Sequence, residues 1–154
     1  MVSAVFRPAL MLFLLAYLGC SAFVYVISLF IDLSNNSFMG IVALMAAALP
    51  AGQKFFASNT RLPTTSEKLQ FSLYGSIISI IVSALIVVGT ALYFGLPLSL
   101  DSIGAMVGMP TADVPMILTF ALIAGLVLGT GLIYLFFGMG AKTALKQSQR
   151  PTAK

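Results

Sequence analysis

Four long apolar runs, separated by short polar segments, organise this chain. Residues 8–31 carry no charge. At 1.5 Å per residue a helix of that length crosses a hydrocarbon core of about 30 Å, and Pro8 stands where a first helical turn tolerates proline. A compact polar turn at 32–37 offers Asn35, Asn36 and Ser37 as caps for a second run, 38–56. That run is rich in alanine (Ala43, Ala46, Ala47, Ala48 and Ala51). Small side chains let neighbouring backbones approach closely, which places this helix inside a bundle, with Pro50 bending its last turn. The third and fourth runs cover 71–94 and 115–137.

The densest polar stretch, residues 50–68, lies between the second and third runs. Thr64 and Glu67 have the T-x-x-E spacing of a capping box, in which each side chain accepts a hydrogen bond from the other residue's orphaned backbone N–H. A helix should therefore begin at Thr65. Pro63 has no N–H to donate and biases Leu62 toward extended geometry, so residues 58–63 read as a turn. Between the last two runs, residues 96–114 contain Pro97, Gly104, Gly108 and Pro110 yet are dotted with apolar side chains, the composition of a segment lying on a membrane surface. Ser99 can cap one short helix there, and Thr111 or Asp113 the fourth run. Residues 138–154 form a basic, polar tail whose end, after Gln147, is expected to fray.

Composition agrees with this layout. Only 8% of residues are charged, against roughly 25% in a soluble domain, and the mean hydropathy is +1.07. The expected fold is an all-α, four-transmembrane-helix bundle forming a single domain over 1–154. Charge then gives the orientation. Arg7, Lys54, Arg61, Lys68, Lys142, Lys146, Arg150 and Lys154 all fall on one side of the predicted bundle, while Asp32, Asp101 and Asp113 fall on the other. Basic residues of short loops stay in the cytoplasm, so both termini are expected there. The same distribution accounts for the net charge of +4 without nucleic acid.

Chemistry-bearing groups are sparse. There is no His or Trp, and the one cysteine, Cys20, excludes an intrachain disulfide and any cysteine-based zinc cluster. The stretch Leu18-Gly19-Cys20-Ser21 resembles a lipoprotein cleavage site, but Tyr17 occupies a position that wants a small aliphatic residue, and the apolar run is longer than a signal-peptide core. An uncleaved first span is expected. Apart from Lys54 at the mouth of the second run, where it can reach the surface, no ionisable residue lies within a span. Proton-coupled transporters and intramembrane hydrolases normally need one, so no catalytic residue, metal ligand or cofactor is assigned and an enzyme is not expected.

Two patterns remain. Ser72, Ser76, Ser79, Ser83 and Thr90 form one stripe down the third span; the structural reading is close helix packing, the functional one a polar path into the membrane. Ala121, Gly125 and Gly129 repeat every four residues in the fourth span, a spacing that suits an internal contact or a homodimer seam. Tyr17, Tyr25, Tyr74, Tyr93 and Tyr134 fall near interfaces or inside spans, with no partner to be named from sequence.

The order G-Q-K-F at 52–55, then Arg61-Leu62-Pro63-Thr64 and Glu67-Lys68, with F-G-x-G-x-K at 137–142 and Phe6-Arg7 entering the first span, resembles the ABZJ-type family of small four-helix inner-membrane proteins of proteobacteria. The resemblance implies a multi-pass protein of the bacterial inner membrane and carries no functional residues with it. Two functions follow as expectations. The first is a non-catalytic protein that binds another membrane component, in its sharpest form an immunity protein against a membrane-targeting toxin. The second is a transporter or channel component that uses the serine stripe and oligomerises.

Overall fold

A computed structural model describes residues 4–28, 38–93, 95, 97, 99–107 and 110–149. A 3-10 turn, Ala4–Phe6, leads into helix α1 (Arg7–Ser28); α2 (Phe38–Asn59), α3 (Thr65–Tyr93), the short α4 (Leu100–Val107), a second 3-10 turn (Thr111–Asp113) and α5 (Val114–Ser148) follow. Four of these helices are long and apolar enough to cross a membrane. The protein is an all-α bundle of four such helices, with no strand among the described residues. In the bundle α2 lies between α1 and α5, and α3 packs along α5 and more briefly on α1.

Packing is concentrated at the end of the bundle that carries the described Lys and Arg residues. Phe13, Phe55, Phe71 and Phe137 are fully buried there, and Phe6 nearly so. Phe71 stacks on Phe137 at a centroid separation of 4.0 Å, Phe55 meets Phe137 edge-on at 5.6 Å, and Phe13 meets Phe71 edge-on at 6.0 Å. Each of the four long helices contributes at least one ring. Because lipid tails are as apolar as these side chains, the cluster holds the helices together through packing and ring geometry rather than by escape from water.

The closest approach is between α2 and α5. A Cβ on Gly52 would collide with the Phe137 carbonyl, and one on Gly140 with the Leu49 carbonyl. Ala47, Ala48, Ala51 and Ala141 are buried alongside. Only residues without side-chain bulk permit this contact, which is why alanine-rich α2 takes an interior position.

Two readings of helix ends change. The segment 138–148, expected as a polar tail, continues α5 as helix, and Gly138, Gly140 and Ala141 are buried against the bundle. At about 50 Å, α5 outruns the hydrocarbon core and carries Lys142 and Lys146 beyond it. The start of α5 has no side-chain cap: Asp113 sits at the N-cap without a capping bond. The Thr111 hydroxyl instead donates to the Asp101 carboxylate at 2.7 Å, tying the turn before α5 to α4. Ser99 does cap α4, its hydroxyl accepting from the Ser102 N–H at 3.2 Å. The caps proposed at Asn35, Asn36 and Ser37, the end of the first run at 29–31, and Arg150 and Lys154 lie outside the described residues.

Candidate functional site

The polar segment linking α2 to α3 is a self-contained structural joint. Asn59 ends α2, and Thr60 takes a left-handed φ of 53° while its N–H donates to the Phe56 carbonyl. The capping box forms: the Thr64 N–H donates to the Glu67 carboxylate at 2.8 Å, and the Glu67 N–H to the Thr64 hydroxyl at 3.3 Å. Arg61 grips the same carboxylate with two nitrogens, at 2.8 and 2.6 Å, and lies over the Phe55 ring. Glu67 sits in the first turn of α3, outside the apolar run. The hydrogen bond from Arg61, aided by Thr64 and opposed by partial burial, holds its carboxyl down to about 2. Lys68 reaches over the Tyr134 ring, its stem along Gly138. Lys54 is exposed. These residues brace two helix ends.

The serine stripe divides. Ser72, Ser76 and Ser79 are buried. Ser72 and Ser79 donate to carbonyls of their own helix, Lys68 and Ser76, at 2.6 and 2.8 Å, and Ser76 donates across to the Leu126 carbonyl of α5 at 3.3 Å. Gly129 is the partner that makes room for Ser76, since a Cβ there would strike its hydroxyl. Thr130, one turn after Leu126, is left with a buried hydroxyl that has no partner among the described residues. Gly129 is therefore an internal contact, whereas Ala121 and Gly125 of the same repeat are exposed, with open space around Gly125.

Beyond Ser79 the bundle opens. Ser83 is itself exposed, but its hydroxyl bonds the Tyr17 phenol at 2.9 Å, tying α1 to α3. The two helices run in the same direction, since Phe13 meets Phe71 and Tyr17 meets Ser83 further along both. Past that tie lies a cleft of about 420 Å³, lined by Leu18, Ser21, Ala22 and Tyr25 of α1 and by Ile86, Gly89, Thr90 and Tyr93 of α3. A second lobe of about 290 Å³ extends toward Met39, Gly40 and Ala43 of α2 and shares Ser21, Tyr25 and Ile86 with the first.

Both walls carry residues at i, i+3, i+4 and i+7, a bulky aliphatic, two small residues and a tyrosine. That spacing places all four on one helix face. Sequence reading passed over this matched pair of quartets because it weighed each span separately. Comparing spans one and three would have found it. The first half of α5 is likewise uncovered, with Met116, Phe120, Leu122, Ile123, Val127 and Leu128 all exposed. No metal-binding group of His, Cys, Asp and Glu occurs among the described residues. Comparison with protein-family models, curated proteins and solved structures finds no match for this chain.

Proposed function

We propose that this protein is a non-catalytic binding protein of the bacterial inner membrane, which engages another membrane component through the open half of its bundle. The observation that carries this reading is the contrast between the two halves. One is locked by phenylalanines and glycine contacts, while the other leaves a cleft and the Ala121–Gly125 face of α5 uncovered. The resemblance to the ABZJ-type proteins supports the location. The basic residues at the locked end support cytoplasmic termini. In its sharpest form the partner is a membrane-targeting toxin and the protein confers immunity.

Transport through a single copy is the weaker reading, because Ser72, Ser76 and Ser79 of the stripe are buried in helix contacts and the phenylalanine cluster fills that half of the bundle. Deletion of the gene should change sensitivity to a membrane-active toxin or the assembly of a neighbouring protein, and leave solute uptake and export unchanged. Gly125→Ile, placed where no neighbour is disturbed, should reproduce the deletion while accumulating normally. Purified protein that moves ions or solutes across liposomes would refute the proposal.

A further inference from the structure

We propose that the α1–α3 cleft is a binding site for one membrane lipid of the leaflet facing α4. The proposal rests on the reading of the open half as a binding surface and names the occupant of one part of it. Depth is the first argument. From the Tyr17–Ser83 tie to Tyr25 and Tyr93 the cleft spans roughly eight to ten residues of helix, about 12 to 15 Å. This matches one leaflet, half of a core about 30 Å thick.

The cleft is also blind. Below the tie, Phe13 fills the gap, meeting the Phe71 ring edge-on and packing, with Ile133, against Gly75. A partner helix seated in the cleft would have to continue across the whole membrane and would run into this plug. A lipid ends within its own leaflet.

Polarity is the third argument. Ser21 and Thr90 both line the cleft, and neither hydroxyl has a hydrogen-bond partner among the described residues. Hydroxyls facing hydrocarbon are costly unless bonded. They lie about one turn, some 5 Å, below the tyrosines that mark the edge of the leaflet, within reach of ester carbonyls drawn down into the cleft from the headgroup level. These carbonyls accept from the two hydroxyls while a chain runs down against Leu18 and Ile86.

The test uses purified full-length protein in nanodiscs doped with a phosphatidylglycerol whose acyl chain carries a photoactivatable diazirine, with cross-links mapped by mass spectrometry. Saturable labelling of residues 18–25 and 86–93, displaced by unlabelled phosphatidylglycerol, is expected. Ser21→Ala with Thr90→Val should weaken it about fivefold or more, as for loss of one or two net hydrogen bonds. Gly89→Leu, built into space where a Cβ meets nothing, should abolish it with the helical circular dichroism and melting temperature unchanged. Labelling spread evenly over these residues and the exposed face of α5, non-saturable and indifferent to Gly89→Leu, would overturn the proposal. That result would leave protein binding at Gly125 intact, so the two readings fail separately.

Discussion

A methyl group added at Gly52 would meet the carbonyl of Phe137, and one at Gly140 the carbonyl of Leu49, whereas at Gly125 or Gly131 it would meet nothing. Backbone atoms cannot rotate aside, so Gly52→Ala or Gly140→Ala must push α2 and α5 apart. The expected loss is about 1 to 3 kcal/mol. Gly125→Ala and Gly131→Ala relieve a helix of its least favourable ordinary residue and should be neutral or stabilising by up to about 1 kcal/mol. Thermal unfolding in detergent separates the pairs; equal behaviour would mean that α2 and α5 are not in backbone contact. Glu67 carries the pH dependence. Its carboxyl is held at about 2, below its ordinary 4.5, so the folded state favours the ionised form. The stabilisation is complete above about pH 4.5 and is lost as pH falls toward 2. Since the Arg61 pair faces solvent, Glu67→Gln should cost only ~0.5 to 1 kcal/mol at pH 7. In the variant, the part of the stability loss that falls between pH 4.5 and 2 should shrink. A wild-type protein whose melting temperature is flat over that interval would contradict the assignment.

Helix α3 shows how much of an element was legible in its sequence. The capping box located its start at Thr65 from two residues, because those hydrogen bonds are local and need no knowledge of the fold. The serine stripe was visible as spacing, but which serines meet another helix depends on where α5 lies, and no single-span pattern contains that. Three of them ended in the packed half; Ser83 and Thr90 ended at the cleft. Likewise the fourth-span repeat left open whether it marked an internal contact or a homodimer seam; Gly129 meets Ser76 of α3, and nothing in the spacing signalled that Gly125 would stand open. The tightest contacts, Gly52 on Phe137 and Gly140 on Leu49, went unread because their members lie on different elements. For α3 this division makes a prediction. Ser76→Leu must displace the Gly129 backbone and should lower stability in detergent by about 2 to 3 kcal/mol. Ser83→Leu loses one part-buried hydrogen bond to Tyr17 and should cost about 1 kcal/mol. Comparable losses at the two sites would mean that the bundle is closed along its whole length.

For the molecule as a whole, fold class and the alignment of basic residues were readable because a membrane imposes length, apolarity and charge bias directly on sequence. The cleft was not, since it arises where two helices stop touching. The orientation is checked with single cysteines at Asn59, Ser102 and Gln149 in a Cys20→Ser background. An impermeant thiol reagent applied to intact cells should label position 102 and spare 59 and 149; the reverse pattern would invert the protein in the membrane. The contrast between a locked half and an engaging half is tested most directly by placing a photo-crosslinking residue on α5 in living cells, at Gly125 or, in the locked half, at exposed Met139. A discrete higher-mass protein adduct at position 125 and none at 139 is the predicted result. No discrete adduct at 125, or the same adduct at both positions, would contradict it.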